Sequence, residues 1–216
     1  MIIRFAFLCE GSSDEPLSIH LEELCLRNGA SEVRGFPLSH VPEQKSKKVE
    51  DQLEALLQQD TDWDLIFIHR DSDSPDDSQR RETLQKAAEK VNLQHPHVFV
   101  VPIQEMEAWL LLDEQIIRSV AENPKGHVQL NLPKPSLVET VSSPKERLQE
   151  ILITATQNKG RRLKRFKKRF PKHRRRLIER LDIDGLISQV PAWQQLCKDI
   201  ESTLATMRDA RKDTSH

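Results

Sequence analysis

The chain has 216 residues, of which 31% are charged and 37% apolar, and its net charge is −1. That length allows one domain with a sizeable core, or one domain and a small helical appendage. No apolar run approaches the ~20 residues of a membrane helix, and three cysteines without C-x-x-C spacing predict neither a disulfide framework nor a zinc site. The lack of tyrosine excludes a covalent tyrosine nucleophile.

In chain order, Ile2–Cys9 reads as a buried strand that runs into Glu10-Gly11. This stretch meets acid too early for a signal peptide, so a reducing cytoplasm is the expected compartment. Ser12-Ser13-Asp14-Glu15-Pro16 carries helix-start chemistry, with Asp14 and Glu15 as early acids. Leu17, Leu21, Leu24 and Cys25 then share one helical face, which Asn28-Gly29 ends. A weaker strand is predicted over Glu32–Pro37, a polar loop with Lys45, Lys47 and Lys48 over residues 39–48, and a helix on Val49, Leu53, Leu56 and Leu57.

Asp64–His69 is an apolar run too short for a helix, and it predicts a parallel strand buried on both faces. It ends in Arg70-Asp71-Ser72-Asp73-Ser74. A mostly exposed helix follows to about Asn92, then a strand over His97–Ile103 ending in Glu105-Met106-Glu107, then a helix over Glu105–Glu122. Strand–helix alternation of this kind implies an α/β fold with a mostly parallel sheet and right-handed crossovers. The predicted organisation is an α/β domain over 1–122, an irregular proline-rich connection over 123–143, and a helical region over 144–216. Helices are predicted there at 145–156, 161–181 and 191–210, with a frayed end at 213–216.

Three predicted strands end in acid, and ligands gather at the carboxyl ends of strands in open α/β sheets. Carboxylates held about 4 Å apart repel by ~4 kcal/mol per pair at an effective dielectric near 20. If Glu10, Asp71, Asp73 and one of Glu105 or Glu107 converge, they must bind protons or a cation. Oxygen donors with no histidine or cysteine beside them favour Mg²⁺ or Mn²⁺. Beside this stands an ordinary reading as loop and helix-start acids, strongest for Asp14, Glu15, Asp76 and Asp77. His69 is expected to be a hydrogen-bonded core residue, and Arg70 to face away from Asp71.

Glu10-Gly11 after a first strand, with Asp71-Ser72-Asp73 after a later one, resembles the Toprim fold of primases, topoisomerases and old-type nucleases. With Glu107-Ala108-Trp109-Leu110-Leu111 added, the pattern is similar to small Toprim-like proteins of bacterial defence loci. The resemblance covers residues 1–112, and 144–158 more weakly. It implies a metal site of Glu10, Asp71, Asp73 and Glu107 holding Mg²⁺ or Mn²⁺, nuclease activity, and an ABC-type ATPase partner in anti-phage defence. Lys145, opening a helix, is a candidate phosphate contact.

The charge is unevenly spread. Residues 1–158 carry 16 Lys/Arg against 27 Asp/Glu, whereas residues 159–180 carry 13 against the single Glu179. Leu163, Phe166 and Phe170 fall on one helical face of this segment, with bases elsewhere. Arg161, Arg162, Lys164, Arg165, Lys167, Lys168, Arg169, Lys172, Arg174, Arg175 and Arg176 are the expected contacts to DNA or RNA phosphates. The apolar face is thin for membrane insertion. The alternative to a nuclease is a non-catalytic adaptor that binds nucleic acid or protein on the same scaffold. A D-x-D nucleotide-transfer enzyme would need a glycine-rich phosphate loop that the chain lacks. The oligomeric state is not legible.

Overall fold

The structure is a computed structural model that describes residues 1–38, 46, 48–59 and 61–213. Lys45, Lys47 and the expected frayed residues 214–216 lie outside them. In order, the elements are β1 (Ile2–Leu8), α1 (Leu17–Arg27), β2 (Glu32–Leu38), α2 (Val49–Leu57), β3 (Leu65–His69), α3 (Ser78–Lys90) and β4 (His97–Val100), then α4 (Glu114–Val120), α5 (Pro144–Thr156), α6 (Gly160–Lys167), α7 (Phe170–Glu179) and α8 (Pro191–Asp213). Three 3-10 turns lie at Met106–Leu111, Pro135–Thr140 and Leu186–Gln189. The fold is α/β and Rossmann-like, with a C-terminal helical region. Among the described residues no helix is long and apolar enough to cross a membrane.

Two compact units divide the chain: residues 1–70, 77–101 and 195–216 form the first, and 71–76 with 102–194 the second. The first holds one four-stranded sheet in the order β2-β1-β3-β4, parallel throughout. β3 is buried at every position, which is why it reads as an unbroken apolar run. Pleating sends Ala6, Leu8, Ile66 and Ile68 to one face, where they pack with Leu53 and Leu56 of α2 and Leu84 of α3. Phe5 and Phe67 point to the other face and meet edge-on at 4.9 Å. Pro37 sits in β2, an edge strand, where a missing N–H is tolerated.

Chain order and strand order together locate a topological switch. From β1 the chain goes to β2 on one side, then returns to β3 on the other, so the switch lies between β1 and β3. Their register pairs Leu8 with Ile68, and each strand then runs on within two residues to acid: Glu10 and Asp71.

The second unit is helical. Trp109 and Trp193, both buried, meet at right angles with centroids 5.1 Å apart and anchor its core. The predicted helix over Glu105–Glu122 is in fact a 3-10 turn followed by α4. Met106–Leu111 is buried at every position, leaving no polar stripe for a surface helix. Asp113 then starts α4 afresh, its carboxylate accepting from Ile116 N at 2.8 Å. The single helix predicted over 161–181 is likewise two, because Pro171 fits only a first helical turn.

Candidate functional site

On the first unit, Glu10 is exposed just beyond β1. Asp14, expected on the surface, is instead buried. Its carboxylate accepts from Gly11 N at 3.0 Å and lies 3.7 Å from Nδ1 of the fully buried His69. The Gly-x-x-Asp spacing was the available sign of this turn. Arg70 is buried too. It donates to its neighbour's carbonyl, His69 O, at 2.5 Å and to Gln52 Oε1. Burial pulls its proton affinity down, and the charge of Glu10 opposes that shift. Burial, reinforced by Asp14 and Glu15, pushes the Cys9 thiol up to about 12, so at neutral pH it is no nucleophile.

On the second unit, residues 71–74 are zipped to 102–106. Ser72 N donates to Pro102 O at 3.0 Å, and Asp73 N to Gln104 O at 2.9 Å. Ser72 Oγ accepts from Gln104 N at 2.8 Å and donates to Ser74 O at 2.6 Å. Two non-glycine residues of this pairing, Asp73 (φ 53°) and Gln104 (φ 60°), are left-handed. Such backbone is costly for residues with a Cβ and gathers at functional sites. Asp71 is half-buried, and its Oδ1 accepts from Met106 N at 2.9 Å. Asp73 is exposed.

Glu105 reaches across 40 residues of sequence to accept from Lys145 N at 2.9 Å, capping the start of α5. Its carboxyl is raised above the ordinary range, first by burial and then, against the Lys145 N–H, by the charges of Glu107 and Asp71. Glu105 therefore feels the charges of two other carboxylates of its unit. The Lys145 side chain is exposed at the same helix end.

Glu107 is buried and bound by a guanidinium. Arg174 Nε donates to Oε1 at 2.8 Å, and Nη2 lies 3.5 Å from Oε2. The two side chains are 3% and 8% exposed. Arg174 is thus corrected from a nucleic-acid contact to a core residue. Its place on the inner face of α7 leaves it next to the only apolar stripe that helix has, with Leu177 and Ile178. Arg161, Arg162, Lys164, Arg165, Lys167, Lys168, Arg169, Lys172, Arg175 and Arg176 are exposed, as the charge pattern predicts.

A family model described as a domain of unknown function, DUF4276, matches residues 9–201. The chain belongs to that family. Every candidate residue above lies inside the matched DUF4276 stretch. No curated protein and no solved structure matches the chain.

Among the described residues, no group of three or more His, Cys, Asp and Glu side chains is placed to hold a metal ion. In kind, Asp71, Asp73 and Glu105 are the oxygen donors that a hard cation takes. Glu107 does not suit one, since Arg174 already neutralises it.

Proposed function

We propose that this chain is a Toprim-type, Mg²⁺- or Mn²⁺-dependent nuclease acting on DNA or RNA phosphodiesters, and that it serves as the effector of an ATPase-linked bacterial defence system. The observation that carries this reading is acid following both strands that flank the switch point of a parallel sheet, where α/β folds gather ligands. Asp71 and Asp73, the acids that follow β3, would supply oxygen ligands to the ion. When bound, it would supply positive charge to a phosphate and lower the pKa of a water. Lys145 at the head of α5 would meet a phosphate oxygen, and the helix dipole would favour that anion there. Glu107 is a positioning residue, held through Arg174.

The variants can be chosen to spare the fold. Asp71→Asn keeps an oxygen for Met106 N, and Asp73→Gly relaxes a left-handed residue. The parent protein with Mn²⁺ should nick or degrade nucleic acid, and the double variant, with an unchanged melting curve, should lose about 10–100-fold or more in rate, since changing even the groups behind metal ligands typically costs that much. Equal cleavage by both would trace the activity to a contaminant.

The buried Glu107–Arg174 pair favours a second reading, a non-catalytic adaptor in which this carboxylate is purely structural. Calorimetry separates the two: heat from Mn²⁺ binding that Asp71→Asn abolishes supports the nuclease, while none, with nucleic-acid binding intact, supports the adaptor.

A further inference from the structure

We propose that α6 and α7 form a docking surface for double-stranded nucleic acid, which they grip through phosphates without reading bases. The proposal rests on the nucleic-acid partner named above and narrows its class.

The aromatic residues decide against unpaired bases. Single strands are held by rings on which bases stack, worth ~1–3 kcal/mol per base. The cationic segment has two rings besides its histidine, and both are turned inward. Phe166 is buried and stacked on His173 at 4.1 Å, and Phe170 is half-buried. The outer surface therefore offers charge without a stacking platform.

Charge density argues for two strands over one. Seven Lys and Arg lie between Arg161 and Arg169, all exposed. The five on α6, from Arg161 to Lys167, span about 9 Å at ~1.5 Å of rise per residue, close to one cation per ~1.8 Å. A duplex presents one phosphate charge per ~1.7 Å of axis, and each of its strands one per ~3.4 Å. At 100° per residue these five fan around α6 from the flanks of the Leu163 and Phe166 stripe across the side opposite it. Arg169 and Arg175 have carboxylate neighbours, Glu122 at 3.9 Å and Glu179 at 3.1 Å. Such exposed pairs are worth little and exchange readily for phosphate. From α7, Lys172 and Arg176 add two further exposed cations.

Full-length protein in EDTA, where no metal-dependent cleavage occurs, is titrated by anisotropy against labelled DNA duplex, RNA duplex, the separate strands, and polyglutamate. Duplex should bind at least about tenfold tighter than either strand, with little dependence on sequence and a fall of about 10³-fold or more from 50 to 200 mM salt. The tighter of the two duplexes names the source of the phosphates. Arg161→Glu, Arg165→Glu and Lys168→Glu together should lose about 100-fold or more with unchanged circular dichroism. If that protein misfolds, the corresponding glutamine variant must show the loss. Single strands or polyglutamate binding as well as duplex, or variants binding like the parent, overturn the proposal. Duplex binding without cleavage in Mn²⁺ leaves it standing while ending the nuclease reading.

Discussion

Glu107 and Arg174 show how far a residue's type can mislead when its partner is remote. Acid after a strand suggests a metal ligand, and arginine in a basic run suggests a phosphate contact. Sixty-seven residues separate them, and their mutual burial makes each the other's counter-ion. Removing one member of a buried pair strands the other charge and costs about 3–5 kcal/mol. Arg174→Ala should therefore lower the urea-unfolding free energy by about that much, while Glu107→Leu with Arg174→Met recovers most of it. A loss under about 1 kcal/mol for Arg174→Ala would mean that the pair is solvated. Asp14 makes the same point more mildly: its caps-and-turns role is legible from Gly11-Ser12-Ser13-Asp14, its burial beside His69 is not.

Helix existence was legible and helix ends were less so. The apolar stripes of α1 and α2 stand where the 3.6-residue period puts them, because each helix has one buried face. The period gives no warning at Met106–Leu111, which is buried all round. At the far end of α5, Gln157 takes a left-handed conformation (φ 52°, ψ 11°) as C-cap, a position glycine occupies at lower cost. Gln157→Gly is expected to raise stability by about 0.5–1 kcal/mol. A thermal melt should move up by a few degrees; an unchanged or lower midpoint would show that the glutamine side chain contributes at that turn.

For the whole molecule, chain order and compact units part company. A break near 123–143, inferred from prolines, would make 1–122 a domain, yet the first unit also takes residues 195–216. There Asp199 pairs with Arg81 at 3.1 Å and Arg211 with Asp64 at 2.5 Å, while Ile200 and Leu204 are buried. A chain cut after residue 122 loses those buried side chains, each worth ~1.5–3 kcal/mol. It should unfold without a cooperative urea transition. A sharp transition from residues 1–122 alone would show that α8 is dispensable to that unit.

Local physics was enough to establish a parallel α/β sheet, its strands and the cationic surface, since burial period and charge density are properties of neighbouring residues. Strand order, and with it the switch point between β1 and β3, came only from the folded chain, because the direction of each crossover is settled by packing. The same holds for which acid meets a cation: Glu107 finds its arginine, and Glu105 caps a helix 40 residues away. Long-range pairing depends on where the backbone brings charges together in low dielectric, and no spacing along the sequence encodes that distance.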